Sequence, residues 1–123
     1  MIGYVTLGTN DLERSAAFYD EIAGILGHSR VYTTERTVGW GAAGKNVMMS
    51  VITPFDGEPA TAGNGSMFGL PVEREEQVQQ IYDFALANGG KDEGPPGPRG
   101  EQFYCAYFRD PDGNKLIAYL MRS

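Results

Sequence analysis

Apolar and polar residues alternate along residues 2–8 (Ile-Gly-Tyr-Val-Thr-Leu-Gly), with Val5 and Leu7 on one side and Tyr4 and Thr6 on the other. That two-residue period predicts a short strand. The period then lengthens. Leu12, Ser15, Tyr19, Ile22 and Leu26 form a largely apolar stripe at helical spacing. Asn10 is placed to cap this helix, Glu13 three residues on suits a capping box, and Gly27 ends it. Three strands are predicted next, over 28–34, 37–42 and 46–53.

The same order then recurs. Residues 66–70 read as a strand and 73–88 as a helix, with Val78, Ile81, Tyr82 and Ala85 on one face and Asn88-Gly89-Gly90 at its end. Strands follow over 102–109 and 115–121, joined by the turn Asp110-Pro111-Asp112-Gly113-Asn114. Residues 91–100, which contain Gly94-Pro95-Pro96-Gly97-Pro98, read as an edge loop. The two strand–helix starts lie about sixty residues apart, so the chain reads as a duplicated βαβββ unit within one α+β domain. Module 1 takes about 1–53, a Gly/Pro-rich linker 54–65, and module 2 about 66–123.

Composition narrows the function classes. A chain of 123 residues fits one domain or two small modules sharing a core. Its net charge is −6 and it has no basic run, which argues against nucleic acid and anionic membrane surfaces. No run of about eighteen apolar residues predicts a membrane span. Met1-Ile2-Gly3-Tyr4 lacks signal-peptide character, and Cys105 is the single cysteine. Together these predict a cytoplasmic protein.

Thr9-Asn10-Asp11-Leu12-Glu13-Arg14-Ser15-Ala16-Ala17-Phe18-Tyr19-Asp20 resembles the opening helix of glyoxalase-type proteins, and Arg109 to Lys115 resembles their closing hairpin. The segment from Ala85 to Arg99 is similar to that of small bacterial glyoxalase-like proteins. In order and spacing the chain thus resembles the vicinal oxygen chelate superfamily of glyoxalase I, bleomycin-resistance proteins and extradiol dioxygenases. The resemblance implies two βαβββ modules whose curled sheets form a cleft, often completed by a homodimer. In metal-dependent members four side chains lining the sheets hold one divalent ion. Those positions fall on Tyr4, near Ser50, on Ser66 or Met67, and on Ile117, where a glutamate would follow the turn glycine by four residues. None offers the imidazole or carboxylate that Ni, Zn, Fe or Mn requires, so no metal and no cofactor are expected.

Strand alternation points the same way. It sends Leu116, Ala118 and Leu120 toward a helix and Ile117, Tyr119 and Met121 toward the cleft; Met48, Ser50 and Ile52 take the cleft side of the fourth strand. Such a wall suits an organic ligand. Tyr104 and Tyr107 alternate, so at most one faces it. Trp40 can stack on a ligand or bury at a dimer interface. Arg99 can clamp a ligand carboxylate or phosphate, or be a solvated loop arginine. His28 reads as a helix-end residue, Cys105 as a buried structural thiol, and Asp110 and Asp112 as turn formers. The expected function is binding of a small organic molecule in a metal-free cleft by Tyr4, Trp40, Met48, Ser50, Ile52, Arg99, Ile117 and Tyr119. The alternative is a glyoxalase-type lyase or isomerase, for which no base is evident in the sequence.

Overall fold

The structure is a computed structural model that describes residues 1–122. The chain divides into two compact units, Met1–Ala62 and Gly63–Ser123.

In the first unit the order is β1 (Val5–Gly8), α1 (Leu12–Ile25), β2 (Ser29–Thr33), β3 (Thr37–Gly41) and β4 (Met49–Ile52). The sheet runs β1-β4-β3-β2, with β1 parallel to β4 and the other pairs antiparallel. Helix α1 covers one face, burying Phe18, Tyr19 and Ile22 against Leu7, Val38, Trp40 and Val51. Its N-cap is Asp11, whose carboxylate accepts the Arg14 N–H at 3.1 Å. Asn10, expected to cap, is used elsewhere. Its side chain exchanges two hydrogen bonds with the backbone of Ala60, at 3.2 and 2.7 Å, and ties the 54–62 segment to this unit. Gly27, at φ +78°, closes the helix as predicted: the His28 N–H reaches Ala23 O at 2.7 Å and the Gly27 N–H reaches Gly24 O.

The second unit repeats the order with β5 (Phe68–Pro71), α2 (Glu75–Ala87), β6 (Lys91–Arg99), β7 (Phe103–Arg109) and β8 (Lys115–Met121). Its sheet, β5-β8-β7-β6, has the same topology, again with one parallel pair, β5 and β8. Val78, Ile81 and Ala85 of α2 are buried with Phe108, Ala106, Leu116 and Ala118 of the sheet. The Gln77 side-chain oxygen accepts the N–H groups of Glu73 and Arg74 and so closes the start of α2.

Residues 91–99 are a strand and not the expected loop. They sit at the sheet edge, where one side of the ladder needs no partner, and shifts in register at Gly94 and Gly97 absorb Pro95-Pro96. The β7–β8 hairpin is held by Asp110, 2% exposed, whose carboxylate accepts the backbone N–H groups of Asp112 and Asn114 and the Asn114 amide, each at 2.9 Å. Its charge is thus committed to the turn, as the sequence predicts. Among the described residues no helix is long and apolar enough to cross a membrane.

Candidate functional site

Each unit has a sheet face that its own helix leaves uncovered, and the two faces differ in chemistry. Cross-strand register defines the one on the second unit. Phe103, Cys105, Tyr107 and Arg109 stand opposite Met121, Tyr119, Ile117 and Lys115, while Phe108, Ala106, Leu116 and Ala118 point the other way and are fully buried. The Phe103 and Tyr119 rings lie 6.2 Å apart. Tyr119 leans over β5, where a Cβ on Gly69 would come within 3.0 Å of its ring, so glycine there makes room for the phenol. Tyr107 sits between two cations, with Arg99 of β6 at 5.7 Å and Lys115 of β8 at 5.6 Å from its ring centre. Burial, and secondarily the neighbouring Cys105 thiol, hold the Tyr107 phenol above its ordinary pKa.

On the first unit the uncovered face is small and hydroxylic. Thr6 and Ser50 pair across β1 and β4 and share a hydrogen bond of 2.9 Å. Val47 covers Gly39 beside them and Ala60 covers Gly8, so part of this face is filled from within the unit.

The candidate residues separate accordingly. Ile117, Tyr119 and Arg99 share the aromatic face of the second unit. Ser50 lies on the hydroxyl face of the first, 4% exposed, and alternation sends Ile52 there too. Tyr4 just precedes β1 and Met48 just precedes β4; they are 65% and 53% exposed. Trp40 is placed elsewhere. It is 4% exposed on the helix side of β3, 5.7 Å from the Tyr19 ring, and its indole N–H donates to Asp20 at 2.9 Å. No face of the indole is left for a ligand to stack on. The reason lies in the alternation of Thr37-Val38-Gly39-Trp40-Gly41, which puts Trp40 on the same side as Val38. Asp20 also receives two guanidinium bonds from Arg30, each at 2.9 Å. These bonds chiefly, with the indole bond, hold its carboxyl below the ordinary value against a smaller opposing effect of burial.

Sequence reasoning missed Lys115 and Phe103 and left Tyr107 open. The same alternation that placed Ile117 and Tyr119 carries Lys115, and register with those two selects Tyr107 over Tyr104. Tyr104 instead lies 5.6 Å from the guanidinium of Arg122, which pairs with Glu75 of α2.

The residues at the four positions to which the resemblance points do not fit a divalent ion. Ser50 is bonded to Thr6, Tyr4 offers an exposed phenol, Ser66 and Met67 supply no carboxylate or imidazole, and Ile117 is a hydrocarbon. Among the described residues no three His, Cys, Asp or Glu side chains come together at a ligating distance.

A separate open recess of about 470 Å³ lies within the first unit, between the Arg36 turn and the 53–59 loop. Arg36 stacks there on Phe55 at 5.3 Å and donates to Thr53 O. None of the candidate residues lines it.

Comparison with known proteins adds a family. The family model described as Glyoxalase/Bleomycin resistance protein/Dioxygenase superfamily matches residues 1–117. A glyoxalase/bleomycin resistance protein from Albidiferax ferrireducens is 38% identical, with a TM-score of 0.87 and 98% of each chain covered. A hypothetical protein from S. aureus is 26% identical over 98% of this chain and 94% of its own, with a TM-score of 0.72. A fosfomycin resistance protein from Listeria monocytogenes, 17% identical over 98% of this chain and 92% of its own, shares the fold at a TM-score of 0.68. No curated protein matches the chain.

Proposed function

The chain belongs to the glyoxalase/bleomycin resistance protein/dioxygenase superfamily, and on that premise we propose that it is a small-molecule binding protein whose affinity requires no metal. The observation that carries the reading is the uncovered face of the second unit, where Phe103, Tyr107, Ile117 and Tyr119 stand together on paired strands. Aromatic and branched side chains of this kind bury the body of an organic ligand, and the phenols fix its orientation. Donor chemistry supports the metal-free half, because the residues at the ligand positions are a phenol, hydroxyls and hydrocarbon. Tyr4, Met48, Ile52 and the Thr6–Ser50 pair give the first unit a smaller surface of its own. The protein acts in the cytoplasm as a homodimer; sedimentation equilibrium at twice the chain mass checks the dimer.

Binding is tested with N-phenyl-1-naphthylamine, a neutral aromatic whose fluorescence rises on burial. Tyr119→Ala should weaken it roughly tenfold, whereas Ser50→Ala should change it by less than about twofold. Chelator treatment should leave the affinity unchanged, and elemental analysis after loading with Ni, Zn, Mn or Fe should find no stoichiometric metal. An affinity that collapses with chelator would sink the reading.

A further inference from the structure

The uncovered face of the second unit is not only aromatic; it also carries two cations that form no ion pair among the described residues. Arg74, Arg109 and Arg122 of this unit all reach carboxylates: Glu76 at 3.8 Å, Glu93 at 2.7 Å, and Glu75. Among the described residues Arg99 and Lys115 reach none. The Arg99 guanidinium donates only to the carbonyls of Pro95 and Pro98, at 3.2 Å each. Glu93, whose carboxylate feels the charge of Lys115, is itself bonded to Arg109. In a chain with 16 acidic and 10 basic residues, two cations held on one apolar face without a carboxylate call for an explanation.

The backbone is shaped around one of them. Arg99 folds back along β6 over Gly94 and Gly97, and a Cβ at Gly94 would lie 3.2 Å from its Nη2 and 3.0 Å from Cδ2 of Tyr107. A Cβ at Gly97 would lie 3.4 Å from its Nη1. Gly94 also has φ +159°, where a side chain is strained, so glycine both permits the bulge and clears the bed for the guanidinium. Lys115 comes to Tyr107 from the strand on the other side.

We propose that Arg99 and Lys115, converging on Tyr107 from β6 and β8, form an oxyanion-recognition subsite, so that the ligand of this face is an organic anion with an apolar body. This rests on the binding function assigned above and names its ligand class. The apolar body packs on Ile117, Tyr119 and Phe103. The oxyanion meets two cations and a phenol that retains its proton, raised as it is above its ordinary pKa by burial. Charge-assisted contacts of this kind are worth roughly ten- to a hundredfold each in affinity.

The test compares two fluorescent probes with nearly the same aromatic body: the neutral N-phenyl-1-naphthylamine and the sulfonate 8-anilinonaphthalene-1-sulfonate. The parent protein, checked as folded by circular dichroism, should bind the sulfonate at least about tenfold more tightly. Arg99→Gln combined with Lys115→Gln should abolish that preference, bringing the affinities for the two probes within about twofold of each other. Tyr107→Phe keeps the ring under the cations and should cost only the donor, a smaller loss of sulfonate affinity. Equal binding of the two probes, unaltered by the double substitution, would overturn the anion subsite and leave the binding function standing. Binding of neither probe would overturn both. Loss of sulfonate binding in Arg36→Gln, but not in the double variant, would move the anion to the recess of the first unit and overturn the subsite as well.

Discussion

The two units are built to one plan and furnished differently. Each has the order strand, helix, three strands, the same sheet sequence with one parallel pair, a helix on one face, and a Schellman-type close at a glycine. On the uncovered face, however, the first unit presents a hydroxyl pair beside glycines that Val47 and Ala60 fill. The second presents Phe103, Tyr107, Ile117, Tyr119 and Met121, with two cations that form no ion pair among the described residues. Its glycines at 69, 94 and 97 are shadowed by Tyr119, Tyr107 and Arg99, side chains that belong to the face itself. The same backbone economy, glycine under a covering side chain, thus closes one face and equips the other. Topology sets where a binding surface can be; the residues at alternate positions decide whether it becomes one.

The helix side gives the sharpest way to break this comparison, because there the units should behave alike. Trp40→Ala in the first unit and Phe108→Ala in the second each remove a buried aromatic from beneath a helix. Each should lower stability by about 3–5 kcal/mol in urea unfolding followed by circular dichroism. A loss below about 1 kcal/mol in either would show that the two cores are not equivalent.

A smaller effect concerns the ties between helix and sheet. In the first unit, Asp20 of α1 holds Arg30 of β2 and Trp40 of β3 at once. Its pKa is lowered in the folded state, mainly by Arg30, so its contribution is complete above the ordinary value of 3.8 and is lost as pH falls through the folded value. Both side chains of the ion pair are over two-fifths exposed, which limits the effect to about 1 kcal/mol. Asp20→Asn should therefore be less stable than the parent at pH 7, and the gap should shrink toward pH 2. A gap independent of pH would mean that the carboxylate charge has no part in the tie.

The smallest expected change is a gain. Ser15 of α1 is 1% exposed, and its hydroxyl has no hydrogen-bond partner among the described residues. Ser15→Ala removes that unsatisfied group and improves helix propensity, so stability should rise by a few tenths to about 1 kcal/mol in the same urea titration. A loss instead would reveal a partner for the hydroxyl.

Much of this was legible in the chain itself. Local periodicity located both helices and seven of the eight strands, because a two-residue or 3.6-residue repeat is a property of neighbouring positions alone. The glycines that end the helices and the Asp110 turn were equally local. Alternation in β8 separated Ile117 and Tyr119 from the helix side, and the donor types at the metal positions could be read directly. The same rule applied to β3 would have assigned Trp40 to the core, had its glycine neighbours not suggested an exposed indole. What lies beyond the sequence depends on neighbours brought from elsewhere. Residues 91–99 become a strand because β7 offers a ladder, which outweighs the poor strand propensity of proline and glycine when the edge stays free. Asp11 displaces Asn10 as the cap because Ala60, fifty residues away, engages the Asn10 side chain. Arg99 and Lys115, sixteen residues apart, each come against the Tyr107 ring because pairing across β6, β7 and β8 puts them on one face. Repeats and caps follow from covalent sequence; register and shared faces exist only once strands pair, and the candidate site is made of those.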